Sequence, residues 1–142
     1  MASSLLGIDF GFKRIGLAVG QTITGSTSAL NTLPNERHNT NWNGLDKVIQ
    51  EWRPDTFVLG LPVHKDGTDH DVTKAVRKFA VQLEERYGKP IHFQDERLSS
   101  SEAEGILQQQ RASGARKKKV QKEDIDKLAA ALILQRWLDA NC

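Results

Sequence analysis

Three carboxylates fall where the hydropathy pattern leaves little water for them. Asp9 closes the apolar run that begins at Leu5, Glu96 follows the β-prone segment "PIHFQD", and Asp126 lies in a C-terminal helical pattern. At about 100° per residue, Ile125, Leu128, Ala129, Leu132, Ile133 and Trp137 form one apolar face of that helix. Asp126 projects between Ile133 and Trp137. An isolated buried carboxylate is costly to desolvate, so each acid needs a partner. For Asp9 the candidates are a metal ion, a phosphate-binding turn in "GFKR", or a plain hydrogen bond. Glu96 has Arg97 beside it, and Asp126 near a helix start is also favoured by the helix dipole. Three inward carboxylates at one place would repel one another unless cations sat between them, and oxygen-only ligands suit Mg²⁺ or Mn²⁺. That donor set is the one used in two-metal phosphoryl transfer.

The basic residues are unevenly spread. No acid occurs between Glu104 and Glu123, while Arg111, Arg116, Lys117, Lys118, Lys119 and Lys122 all fall there, directly ahead of the segment bearing Asp126. A charge run is often just a solvated loop, but beside a metal site it suits a polyanion and gives salt-sensitive, sequence-independent affinity. Lys13 and Arg14 in the first turn, and Arg97, are further candidates for phosphate contacts. Trp42, Trp52 and Trp137 fall at core-like helical positions, so no stacking platform for bases is evident.

The elements that must position these groups follow from periodicity. Leu5–Phe10 and Ile15–Val19 read as strands joined by a "GFKR" hairpin, and Ser28–Pro34 as a third strand in a meander. "NWNGLDKVIQEW" switches to helical spacing and stops at Pro54. "DTFVLGLP" has the nearly unbroken apolar character of a central strand. A helix spans Val72 to Tyr87 and ends at Gly88 and Pro90; a short strand leads to Glu96. "SSSEAEGILQQQ" reads as a helix opened by a serine cap with Glu102 or Glu104 in capping-box position. The last helix runs from about Glu123 to Ala140, with Asp124 as its N-cap. The order β-β-β-α-β-α-β-α-α implies an α/β fold with a mixed five-stranded sheet, in which the first strand and the one after the first helix are central neighbours.

The 142 residues suit one domain, 1–142, with 38% hydrophobic and 27% charged residues and a net charge of +2. This composition disfavours disorder, and no apolar stretch reaches the roughly 18 residues of a membrane span. One cysteine, Cys142, excludes an internal disulfide and a cysteine metal cluster. It fits a reducing cytoplasm, as does an N-terminal run without the features of a secretory signal.

"GIDFGFKRIGLAVG", "VLGLPVHKDGT", "DERLSSSEAE" and "DIDKLAAALIL", in this order and over nearly the full chain, resemble the YqgF family of Holliday junction resolvases, also described as pre-16S rRNA nucleases. The resemblance implies a ribonuclease H-like fold and a metal-dependent endonuclease of the bacterial cytoplasm. It carries the acids of the family onto Asp9, Glu96 and Asp126. Two departures stand out. Bacterial junction resolvases of this fold have a further acid three residues after the helix acid, where this chain has Ala129. His64 stands where the family commonly has Asn.

The favoured expectation is therefore a Mg²⁺- or Mn²⁺-dependent nuclease acting on nucleic acid, either structured precursor rRNA, with ribosomal particles as partners, or branched DNA. No membrane is involved, and the chain is expected as a monomer or weak dimer. Two alternatives stay open: a non-catalytic ribosome-assembly factor, and an ATP-binding module, since "DFGFKRIGLAVG" also resembles the phosphate loop of the actin, Hsp70 and sugar kinase superfamily. Those ATPases close two such lobes on the nucleotide, and 142 residues hold only one.

Overall fold

The structure, a computed structural model, describes residues 3–62, 71–96 and 99–142. The elements are β1 (Ser4–Phe10), β2 (Arg14–Gln21), β3 (Ser26–Pro34), α1 (Trp42–Trp52), β4 (Thr56–Leu61), α2 (Asp71–Tyr87), β5 (Ile91–Asp95), α3 (Ser99–Ala112) and α4 (Lys122–Asn141). The five strands form one sheet in the order β3-β2-β1-β4-β5. β1, β2 and β3 pair antiparallel, whereas β4 is parallel to β1 and β5 is parallel to β4. This is the mixed sheet expected from the sequence, with β1 and β4 as central neighbours.

Strand alternation divides the core in two. Leu6, Ile8 and Phe10 of β1, with Ile15, Leu17, Phe57 and Leu59, face α1 and α2. On that side Phe10 stacks on Phe79 at 4.4 Å and Trp42 stacks on Phe79 at 5.4 Å. Arg86 grips Asp46 with two donors at 2.9 and 2.6 Å, tying α2 to α1. The alternate residues Leu5, Ala18 and Val58 face α4 and pack on Ala130, Ala131, Ile133, Leu134 and Leu138. Asp9 has the parity of Leu5, so it lies on the α4 side.

Four local expectations change. Trp52 is 42% exposed rather than part of the core. α1 buries Leu45 and Val48 and ends at Arg53 in the left-handed conformation, so its last turn runs beyond the residues it covers. β3 begins at Ser26, two residues earlier than read, and has a bulge opposite Leu17 and Ala18. The N-cap of α4 is Gln121, not Asp124. Asp124 lies in the first turn, where its carboxylate accepts the Gln121 backbone N–H at 3.0 Å and pairs with Arg116 at 2.6 Å. A guanidinium from the preceding loop outweighs the cap position because it satisfies the full charge. Glu102, expected in a capping box, instead pairs with Arg136. None of the described helices is long and apolar enough to cross a membrane.

Candidate functional site

The site begins with a close approach between a helix and two strands. Gly16 lies opposite Asp9 in the β1–β2 ladder. A Cβ on Gly16 would stand 2.1 Å from the backbone oxygen of Asp126, so α4 rests directly on β2 at that point. On β4, the other neighbour of β1, a Cβ on Gly60 would meet a carboxylate oxygen of Glu96 at 2.8 Å. Two missing side chains therefore make the room in which Asp126 and Glu96 approach Asp9. Asp126 is in the second turn of α4, beyond the first-turn acids Glu123 and Asp124, so contact with the sheet accounts for its place better than the helix dipole.

Asp9 and Glu96 are hydrogen-bonded to each other, and Asp9 also feels the charge of Asp126. Burial pushes the Glu96 carboxyl well above the ordinary carboxylate range, and the adjacent Asp9 carboxylate raises it further. Asp9 is raised too, first by burial; the bond to Glu96 acts against this and Asp126 adds to it. Both shifts disfavour two charged carboxylates side by side, as expected of like charges forced together.

The third carboxylate has a different partner. Arg14, at the start of β2, donates from Nε to Oδ2 of Asp126 at 2.5 Å, with both side chains part-buried. Among the described residues no three His, Cys, Asp or Glu side chains are arranged to hold a metal ion as they stand, and Asp126 is bonded to Arg14. The donor set nevertheless fits a hard divalent cation. It is all oxygen, and burial and neighbouring like charge raise the carboxyls of Asp9 and Glu96, a cost that a cation would relieve. A cleft of about 380 Å³ opens beside it, lined by Asp9, Gly11, Phe12, Lys13, Arg14, Ser100 and Asp126.

The other candidates separate. Lys13 is exposed at the rim of this cleft. Arg116 is part-buried, bonded to Asp124 and to the carbonyls of Lys118 and Lys119, which makes it a brace for the basic loop. Lys117, Lys118 and Lys119 are exposed around it. Arg97 and His64 lie outside the described residues. Sequence reading missed Ser100, which enters the cleft from the first turn of α3; the triple serine after "DER" was its only trace. Gly16, just beyond the "GFKR" turn, was given no separate role from sequence and serves the contact with α4.

Raised carboxyls in the folded chain have a consequence for stability. Their contribution is fully present below the unfolded value, near 4.5 for Glu96, and is lost as pH rises toward the higher folded value. Without divalent ions the melting temperature is expected to fall from pH 5 through pH 8. Glu96→Gln removes the titrating group and should flatten that slope in a thermal-melt series in EDTA; an unchanged slope would exclude Glu96 as its source.

The chain is similar to proteins of recorded name along nearly its whole length. It is 44% identical over 137 residues to a "Putative pre-16S rRNA nuclease" of Pseudomonas fluorescens, covering 96% of this chain and 92% of that one. A Legionella pneumophila protein of the same name is 44% identical over 136 residues, covering 96% and 95%. In fold it resembles Thermus thermophilus RuvC in complex with a Holliday junction substrate, with a TM-score of 0.57, 14% identity and coverage of 97% and 94%. The Fowlpox virus resolvase, solved with Holliday junction DNA, gives a TM-score of 0.55 at 13% identity and coverage of 96% and 97%. These likenesses agree with the ribonuclease H-like sheet expected from the sequence. A family model matches residues 3–140, and the chain belongs to that family, RuvX, described as Holliday junction resolvase.

Proposed function

We propose that this chain is a divalent-metal-dependent endonuclease that processes the 5′ end of precursor 16S rRNA in the cytoplasm, with ribosomal particles as its working context. The observation that carries the reading is the meeting of the part-buried carboxyls of Asp9 and Glu96, with the charge of Asp126 acting on Asp9. Asp9, Glu96 and Asp126 would hold Mg²⁺ or Mn²⁺. Bound there in the two-ion form, the metal supplies the charge that activates a water and stabilises the leaving oxygen. Glu96 would serve as a ligand in its ionised form, its proton passing to solvent. Arg14 releases Asp126, and its guanidinium then faces the cleft where a phosphate would lie. Lys13, Arg97 and Lys117–Lys119 add phosphate contacts, while Arg116 holds the loop in shape. The reading takes residues 1–142 as one nuclease domain, acting as a monomer or weak dimer.

RNA is favoured over a DNA junction by the names of relatives at 44% identity. Ala129, fully buried, supplies no fourth carboxylate. The fold likeness to junction resolvases keeps four-way DNA as the second reading. The deciding experiment incubates the purified protein with Mg²⁺ and either a precursor 16S transcript or a synthetic four-way junction. Cleavage of the transcript near the mature 5′ end is expected. Cutting of the junction alone would transfer the assignment to DNA, and inertness toward both, with precursor maturation in cells unaffected by Asp126→Asn, would reject the enzyme.

Arg14 gives a separate test. Its charge competes with a cation for Asp126, so Arg14→Gln should tighten Mn²⁺ binding several-fold in a calorimetric titration while raising KM for the transcript. Weaker metal binding would contradict the competition.

A further inference from the structure

A second cleft of about 590 Å³, larger than the one at the carboxylates, opens on the α2 side of the first hairpin. Phe12 lines both cavities, which places them side by side at the first hairpin. The second is bordered by Arg37, His38, Trp42, Lys74 and Lys78. Lys74 and Lys78 are one turn apart on α2, exposed, and make no ion pair with any described acid. Arg37 lies over the Phe12 ring at 4.3 Å and is bonded to Asp71 at 2.9 Å, which fixes a flat cationic platform at the passage between the cavities.

We propose that this cleft is a second nucleic-acid subsite, which takes the single-stranded flank of the RNA after it has passed the carboxylates. The proposal rests on the nuclease reading and extends it. A polyanion leaving the carboxylate cleft over Phe12 meets the exposed ammonium groups of Lys74 and Lys78. The guanidinium-covered ring offers a surface on which a base stacks without sequence preference. A mononucleotide would use the same groups, but it would not need the continuity through Phe12. A strand does, because it must occupy both cavities at once.

The test measures fluorescence anisotropy of labelled single-stranded RNA of 20 and 6 nucleotides in EDTA, across a salt series. Probes are bound to wild type, Lys74→Ala/Lys78→Ala and Phe12→Ala. For the 20-mer, the double variant should lower affinity and reduce the salt slope by about 1.4, the share of two phosphate contacts on a single strand. Phe12→Ala should weaken it about tenfold. The 6-mer should be affected far less by the lysine changes. An unchanged 20-mer affinity and slope in the double variant, with wild type binding normally, would overturn the second subsite alone. Equal losses for both lengths would also overturn it, as they mark a local site for a short anion. Failure of wild type to bind either RNA would overturn the second subsite, whereas the nuclease reading falls only on inertness in the cleavage assay.

Discussion

Asp9→Asn is expected to leave the chain folded and able to bind RNA but to slow Mg²⁺-dependent cleavage by about 10² to 10³-fold, the usual loss when one preorganised charge is removed from a reacting centre. Asparagine keeps an oxygen that accepts the Glu96 proton, so the local hydrogen bond survives. It removes one of the charges that burial disfavours and that Asp126 repels. The metal-free melting temperature should therefore hold or rise while turnover falls. Loss of rate with retained stability distinguishes a functional carboxylate from a structural one, whose removal would cost both. The measurement pairs single-turnover cleavage of a precursor transcript with a thermal melt in EDTA. Wild-type turnover in contaminant-free protein would remove Asp9 from the site.

Gly16→Ala should be nearly as damaging to activity, though Gly16 carries no functional group. The added methyl would stand 2.1 Å from the Asp126 backbone oxygen and 2.5 Å from its carbonyl carbon. The obstruction is helix backbone, which no rotamer change relieves, so α4 must lift from β2. Overpacking of this kind costs about 1 to 3 kcal/mol, or roughly 3 to 12 °C in melting temperature for a chain of this size. Displacing Asp126 by about 1 Å is enough to cost about 10²-fold in rate. Gly25→Ala serves as the control. Gly25 has a positive φ of 65° but nothing within 4 Å, so its substitution strains the hairpin locally and leaves the site alone. Equal cleavage by the Gly16 and Gly25 variants would show that the α4 contact does not position Asp126.

Much of this arrangement was legible before any coordinates. Alternating and unbroken apolar runs mark β1, β2 and β4 because a strand buried by helices has no polar face to show. The 3.6-residue spacing marks α2 and α4 for the complementary reason. Trp52 misled because periodicity tells which side of a helix a residue is on, not whether the helix still has something beneath it at its last turn. Asp124 misled because its partner Arg116 sits in a loop with no periodicity to read.

The pairings inside the site belong to a different level. Arg14 and Asp126 are 112 residues apart, and their bond exists only because α4 docks across β2. The second cleft likewise needs the chain after β3 and the helix α2 to meet at Phe12. Read alone, the sequence determines the element order, the mixed sheet, and which acids face inward, since these depend on side-chain patterns over a few neighbouring residues. Only the tertiary structure decides which acid lies against which, and that Asp126 is held by a guanidinium. It also shows Gly16 and Gly60 as the spaces that let the carboxylates approach. Those depend on distances between segments far apart in the chain, which packing sets and no local pattern encodes.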